Sequence, residues 1–203
     1  MKRLIIASNN NGKIKEIKRV LKGLPFEVLS LKDIGLDIDV EEDGITFEEN
    51  AKKKSKEICK ELIKRSENNF VVMSDDSGLE VDYLNGEPGV YSARYSGEHG
   101  NDKKNNEKLL LKLKDVSYEN RKAKFVCQLA LIDENNVYKG VTGIVQGYIL
   151  EEERGEEGFG YDPLFFYEPL NKTFGEATME EKNAISHRGM ALREVSEILK
   201  EFL

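Results

Sequence analysis

The sequence contains few of the residues that mark secreted, membrane-bound or disulfide-stabilised proteins. Its 203 residues include two cysteines, four prolines and no tryptophan. Cys59 and Cys127 are too few and too far apart for a disulfide framework or a zinc site, so we expect buried free thiols. No apolar run approaches the ~20 residues that cross a bilayer. Because Leu4 to Ala7 is also shorter than the ~7–15 residues of a signal-peptide core, we expect a cytoplasmic protein without a membrane partner.

Net positive charge is lacking as well. Lysine and arginine total 31 against 38 aspartates and glutamates, a net charge of −7, which argues against a nucleic-acid-binding protein. A small anionic substrate is still compatible with this charge, because a local group of lysines can outweigh the global sign. The sign alternates along the chain: residues 1–32 are mainly basic, 33–50 acidic and 51–65 basic. Lysines for phosphates together with carboxylates for Mg²⁺ are what a nucleoside-triphosphate enzyme requires.

Apolar periodicity predicts strands and helices mixed along the whole chain. Thr46 with Glu49, and Thr178 with Glu181, have the spacing of helix capping boxes. The predicted strands are residues 3–7, 26–29, 70–73, 124–132, 137–150 and 164–166. Four helices are predicted: one after residue 12, one after Thr46, one over residues 103–113 and one at the end of the chain. Residues 124–132 and 137–150 are predicted to form a hairpin around Asn135 and Asn136. These elements predict an α/β fold with a mixed β-sheet and flanking helices.

The first motif is a polar loop between the first strand and the first helix. It consists of Ser8, Asn9, Asn10, Asn11, Gly12 and Lys13. Backbone N–H groups at a helix start bind anions, and Lys13 adds a positive charge. The Gly-Lys-Ser/Thr ending of a Walker A loop is absent. An anion site and an ordinary asparagine-rich turn both fit this loop.

The second motif, residues 74–78, follows an apolar strand and contains two adjacent carboxylates, Asp75 and Asp76. Adjacent carboxylates repel each other unless a positive group lies nearby, and a divalent metal ion bound by both would supply one. The alternative is a polar turn closed by Gly78.

Two further motifs suggest recognition of a flat ligand. Residues 158–163 combine two glycines with Phe159, Tyr161 and Asp162, so a ring could stack on a base and the acid could accept from ring N–H groups. His187 and Arg188 are predicted at the start of the last helix, with Lys182 five residues before His187, and all three can donate to a carbonyl oxygen. A tight turn with core aromatics, and a structural histidine, are the alternatives.

In this order, six segments resemble those of the inosine/xanthosine triphosphate pyrophosphatase family, enzymes that clear non-standard purine nucleotides. The resemblance covers nearly the whole chain. It rests on Ser8-x-Asn10-x-x-Lys13 and on residues 41–51, 75–79, 88–94, 158–163 and 186–188. Ser8 stands where the family usually has threonine, and Lys54 matches the family's lysine when counted from Asn50.

The resemblance implies a single two-lobed domain over residues 1–203, with the ITPase-like fold, a central active-site cleft and a homodimeric assembly. It implies Mg²⁺-dependent hydrolysis of ITP, dITP and XTP to the nucleoside monophosphate and pyrophosphate. The loop from Ser8 to Lys13, and Lys54, are expected at the triphosphate; Glu41 and Asp76 at the metal, with Asp76 also as general base; and Ser77 at the substrate. The residues expected at the nucleobase are Phe159, Gly160, Tyr161, Asp162, Lys182, His187 and Arg188.

Two other functions stay open at this point. One is a pyrophosphatase for other modified or pyrimidine triphosphates on a related fold. The other is a nucleotide-binding protein without catalytic activity, against which Asp75 and Asp76 argue together with Glu41, since binding alone needs no carboxylate to activate water.

Overall fold

The computed structural model describes residues 1–203 and contains one seven-stranded mixed sheet with five α-helices. The strands are β1 (Lys2–Ala7), β2 (Phe26–Ser30), β3 (Phe70–Val81), β4 (Lys122–Asp133), β5 (Tyr138–Ile149), β6 (Phe165–Tyr167) and β7 (Lys172–Thr173). The helices are α1 (Asn11–Val20), α2 (Phe47–Lys64), α3 (Asp102–Lys112), α4 (Met179–Ile185) and α5 (His187–Ile198). The strand order is β2-β1-β3-β4-β5-β6-β7. Strand β1 runs parallel to β2 and β3, whereas β6 is antiparallel to β5 and β7, so the predicted mixed α/β fold is confirmed.

The chain divides into two compact units. Unit 1 comprises residues 1–76, 127–143 and 189–203, and unit 2 comprises residues 77–126 and 144–188. No helix in either unit combines the length and apolar character needed to cross a membrane.

The sheet of unit 1 has apolar side chains on both faces. Leu4 and Ile6 belong to a core that includes residues of α1 and α5, whereas Ile5 and Ala7 belong to a second core that includes residues of α2. Because neighbouring side chains on a strand point to opposite faces, helices cover this part of the sheet on both sides. Such coverage is typical of parallel strands, which are buried on both faces.

Strand β3 is longer than the sequence predicts. The prediction ended it before Ser74, whereas the strand continues to Val81 and contains the whole of residues 74–78. The first two polar residues of this run have side-chain partners in other elements of unit 1. The Ser74 hydroxyl donates to the carbonyl of Ala51 on α2 at 2.5 Å, and Lys13 forms an ion pair with Asp75. Placement of these carboxylates in a turn is therefore wrong.

The helix starts agree with the predicted caps, with one difference. Thr178 and Glu181 form a complete capping box, as predicted. The Thr46 hydroxyl likewise accepts from the N–H of Glu49, but the Glu49 carboxylate accepts from the N–H of Ile45 rather than that of Thr46. Glu49 therefore holds the backbone at Ile45, one residue before the N-cap Thr46.

Unit 2 is built around a core rich in aromatic residues. The rings of Phe125, Phe165 and Phe174 pack together with centroid separations of 4.6 to 5.9 Å. Strand β7, which follows a left-handed residue at Asn171, was not predicted. A strand of two residues is too short to produce a periodic pattern of apolar side chains.

Candidate active site

The loop before α1 is fixed by its own polar side chains. The Asn10 side chain caps α1 by accepting from the N–H of Lys13 at 3.0 Å, and the Ser8 hydroxyl accepts from the N–H of Asn10 at 3.2 Å. The first turn of α1 has no acidic residue. The positive end of the helix dipole is therefore not offset by an acidic side chain of the helix itself, which suits an anion site.

Two lysines of unit 1 converge on the backbone of Asp75. The ammonium groups of Lys13 and Lys54 lie 3.5 and 3.3 Å from the Asp75 carbonyl oxygen. Lys13 also lies 2.6 Å from the carboxylate of Asp75, and Lys54 forms an ion pair with Glu42. The neighbours of Lys54 have other partners, since Lys53 pairs with Asp43 and Lys52 lies over a tyrosine ring.

The adjacent carboxylates of Asp75 and Asp76 have different neighbours on the two faces of β3. The Asp75 carboxylate contacts Lys13 of α1 and accepts from the Cys127 thiol at 3.4 Å. The Asp76 carboxylate accepts from the amide of Asn50 of α2 at 3.0 Å. The pleat of the strand therefore separates the two acids, and Lys13 balances the charge of Asp75. This geometry removes the reason for placing Asp75 on a divalent ion.

Asp76 is a buried acid with an altered proton affinity. Burial, together with the nearby charge of Glu42, raises the pKa of Asp76 to about 6, while Lys13, Lys54 and the Asn50 amide act in the opposite direction. A carboxylate with a pKa in this range can take up a proton near neutral pH. Asp76 therefore has the properties of a general base.

Asn50 connects Asp76 to the acidic loop that precedes α2. Its amide nitrogen donates to Asp76, while its amide oxygen accepts from the N–H of Gly44 at 2.8 Å. It is 1% exposed. The sequence analysis did not select Asn50 as a functional residue, although a polar residue on the apolar face of a predicted helix was an available signal.

In the acidic loop, Glu41 and Glu42 have different charged neighbours. Glu42 pairs with Lys54 and raises the pKa of Asp76, as described above. Glu41 is exposed, and its charge helps to raise the pKa of Lys53, whose main partner is Asp43. Glu42 is therefore a candidate to act together with Asp76, in addition to the expected Glu41.

In unit 2, Asp162 holds the glycine-rich loop closed. One carboxylate oxygen accepts from the N–H of Phe159 at 2.9 Å and from the ammonium of Lys182 at 2.6 Å. Gly158 has a φ of +82°, and a Cβ atom there would lie 2.1 Å from the same oxygen. Asp162 is expected to accept from base N–H groups, but one of its two carboxylate oxygens already accepts two hydrogen bonds from residues of unit 2.

The two aromatic residues of this loop differ in their surroundings. Tyr161 is buried, and its hydroxyl donates to the carbonyl of Ser92 at 2.8 Å. Phe159 is only partly buried, and the cationic groups of Lys182 and Arg188 lie 4.8 and 5.7 Å from its ring centroid. Phe159 is therefore the ring with a surface for stacking, and Tyr161 supports the loop.

His187 and Arg188 lie at the start of α5, and both side chains are buried. The His187 ring stacks on Phe125 with a centroid separation of 4.8 Å and an angle of 13°. Arg188 donates to the hydroxyl of Ser77 at 3.2 Å. Within unit 2 the structure thus brings together Ser77, Phe159 and Arg188, which are far apart in the sequence.

Comparison with known proteins identifies the family. Residues 4–198 match the Ham1 family. A protein from Clostridium perfringens named dITP/XTP pyrophosphatase is 57% identical over 203 residues, and the alignment covers all of both chains. The structure of the Staphylococcus aureus Ham1 protein matches with a TM-score of 0.85 and 44% identity, covering 98% of this chain and 99% of that one. A HAM1 protein from Coxiella burnetii also gives a TM-score of 0.85, at 36% identity and 99% and 100% coverage.

The chain therefore belongs to the Ham1 family. The resemblance drawn from the six sequence segments is confirmed, because relatives from several bacteria have the name dITP/XTP pyrophosphatase.

Proposed function

We propose that this protein hydrolyses ITP, dITP and XTP to the nucleoside monophosphate and pyrophosphate. The observation that carries the proposal is the convergence of Lys13 and Lys54 on the Asp75 carbonyl, next to the buried Asp76 carboxylate. Hydrolysis of a phosphoanhydride needs positive charge at the leaving group and a base for the attacking water. Both are found in unit 1, where the loop from Ser8 to Lys13 adds the N-terminus of α1 for phosphate oxygens.

The carboxylates of unit 1 suit Mg²⁺. This ion is commonly bound by one or two carboxylates together with substrate phosphates, rather than by an all-protein cage. No three acidic, histidine or cysteine side chains are grouped to hold a metal by themselves, but the charge of Glu42 raises the pKa of Asp76. We propose that these two residues hold the ion, with Glu41 as the further candidate. When bound, Mg²⁺ neutralises charge on the phosphate oxygens.

The chain's own residues account for the remaining chemistry. Asp76 accepts a proton from the attacking water, and Asn50 orients its carboxylate through the 3.0 Å hydrogen bond. Lys13 and Lys54 stabilise the negative charge that develops on pyrophosphate. Their carboxylate partners Asp75 and Glu42 keep both ammonium groups in place before substrate arrives.

Unit 2 supplies groups suited to a purine base with an oxygen at position 6. The Phe159 ring offers a stacking surface, with Gly160, Tyr161 and Asp162 forming its loop. Lys182, His187 and Arg188 are potential donors to the carbonyl. Adenine presents an amino group at this position, so a donor there would have no acceptor, and such a mismatch can reject a substrate by a large factor.

We further propose that residues 1–203 act as one domain in a cytoplasmic homodimer. Light scattering on the purified protein tests the dimer.

Turnover of ITP, GTP and ATP by the purified protein, with Mg²⁺ and with chelator, tests the proposed function. We expect Mg²⁺-dependent pyrophosphate release that is fastest with ITP. Faster turnover of dUTP or a methylated nucleotide would favour the pyrimidine or modified-base alternative. Binding of ITP without pyrophosphate release would favour a non-catalytic protein.

The substitution Lys13→Ala should raise KM for every triphosphate alike. Lys13 contacts Asn10 of the α1 loop and the carboxylate of Asp75, and both belong to unit 1. We therefore expect the ITP:GTP ratio of kcat/KM to stay within about tenfold, roughly 1.4 kcal/mol, of the wild-type ratio. Lys53→Ala is the matched control, because its exposed ion pair with Asp43 should contribute little. A larger change of the ratio would place Lys13 at the base.

A further inference from the structure

The first turns of α3 hold the base loop at Gly160. The N–H of Gly160 donates to the Asp102 carboxylate at 2.8 Å, and its carbonyl accepts from the Asn106 amide at 3.2 Å. Asp102 and Asn106 are four residues apart on the helix, so their side chains lie on the same face. Both peptide groups that flank the Cα of Gly160 are thereby fixed by one helix.

Asn106 is the more deeply placed of the two. It is 3% exposed, and its amide also donates to the Glu153 carboxylate at 2.7 Å. Its neighbour Asn105 is equally buried but serves another segment, since its side chain bonds to the backbone of Ala93 and Ser96. Adjacent asparagines of α3 thus support two separate loops.

Gly160 directly follows Phe159, and its φ of +65° lies in the left-handed region. The loop begins at Gly158, which also has a positive φ, so its backbone has more conformational freedom than that of most loops. On the N-terminal side the bond from Phe159 N–H to Asp162 fixes the backbone. The two bonds from α3 fix the next residue, and together these contacts hold the backbone from which the Phe159 ring projects.

We propose that Asp102 and Asn106 are positioning residues for base selection: they act through Gly160 to hold Phe159 where it stacks on the nucleobase. This inference rests on the proposed function. The same residues have no role in the phosphate chemistry assigned to unit 1, so their loss should affect the choice of base more than kcat.

The test compares conservative and disruptive variants at each position. Asp102→Asn keeps an oxygen that can accept from the Gly160 N–H, whereas Asp102→Ala does not; both remove the same charge from the first turn of α3. Asn106→Leu removes the donor at similar volume, and Asn105→Leu is its matched control on the same helix. For each protein, kcat and KM for ITP and ATP, and the melting temperature, are measured.

We expect Asp102→Ala and Asn106→Leu to raise KM for ITP and narrow the ITP:ATP ratio of kcat/KM by about tenfold, the effect of one good hydrogen bond. Asp102→Asn should keep the wild-type ratio. Asn105→Leu should lower the melting temperature as Asn106→Leu does, but keep the ratio.

Three results would overturn the inference. The first is a wild-type ratio in Asp102→Ala and Asn106→Leu when the wild-type protein itself prefers ITP; this leaves the proposed function intact. The second is an equal loss of preference in Asp102→Asn and Asp102→Ala, which would assign the effect to charge. The third is a wild-type protein without preference for ITP, which would overturn the proposed base selection and the positioning role together.

Discussion

Replacement of Asp76 by asparagine should lower kcat by about 10² to 10⁴-fold, the usual contribution of a positioned proton acceptor. Asparagine has nearly the same shape and can still contact Asn50, but it cannot take a proton from water. Nucleotide binding should be largely retained, because the ion pairs of Lys13 with Asp75 and of Lys54 with Glu42 do not involve the Asp76 side chain. Steady-state turnover of ITP and calorimetric measurement of nucleotide affinity separate the two effects.

The same variant should be more stable than the wild-type protein at neutral pH. The folded-state pKa of Asp76 is about 6 against 3.8 for the free side chain, so ionisation above pH 6 disfavours the folded state. This cost disappears as the pH falls below 3.8, where both states are protonated. The difference corresponds to roughly 3 kcal/mol at most. Melting curves in chelator should therefore show a higher midpoint for Asp76→Asn at pH 7 and matching midpoints near pH 4.

Asp43→Asn is the control for both measurements, since Asp43 is an exposed acid of the neighbouring loop whose pKa is lowered by Lys53. It should keep turnover and should not gain stability at neutral pH. Wild-type turnover in Asp76→Asn would contradict the general-base role. Reduced turnover with no gain in stability would support the general-base role. It would contradict the claim that the buried, ionised Asp76 carboxylate destabilises the folded state.

Local patterns in the sequence were sufficient for most of the fold. A short continuous run of apolar residues predicts β1, and the Thr178 capping box gives the start of α4 correctly. They failed at residues 74–78, because a run of serine, aspartate and glycine has the composition of a turn. These residues remain in β3 because their partners, Ala51 and Lys13, come from distant parts of the chain. No local signal contains that information.

The candidate site shows the same limit at the level of single side chains. Sequence motifs select Asp76 as the candidate base, but which neighbour influences it depends on how the loop before α2 meets the strand. In the structure the charge of Glu42 raises the pKa of Asp76, although Glu41 is equally acidic and adjacent. Asn50 and Asn106 were not selected because each acts through a hydrogen bond to a residue at least 26 positions away. Amphipathic periodicity places such residues on a buried face but does not identify their partners.

Substitution of Arg188 by alanine should weaken base discrimination more than it weakens chemistry. Arg188 lies over the Phe159 ring and donates to the Ser77 hydroxyl, so its guanidinium is held beside the proposed stacking surface. A planar guanidinium pairs with a carbonyl oxygen but not with an amino group. Loss of a charged hydrogen bond costs about 1.5–3 kcal/mol, so kcat/KM for ITP should fall by roughly one to two orders of magnitude. ATP should lose much less, because it does not form that bond.

Two further variants separate this role from a structural one. Arg188→Lys keeps the charge but not the planar fork, so it should discriminate almost as poorly as Arg188→Ala. Arg193→Ala, an exposed position on the same helix, should keep the wild-type ITP:ATP ratio. Because Arg188 is 2% exposed, its removal should also lower the melting temperature. A lower melting temperature with an unchanged ITP:ATP ratio would show that Arg188 supports the fold and does not recognise the base.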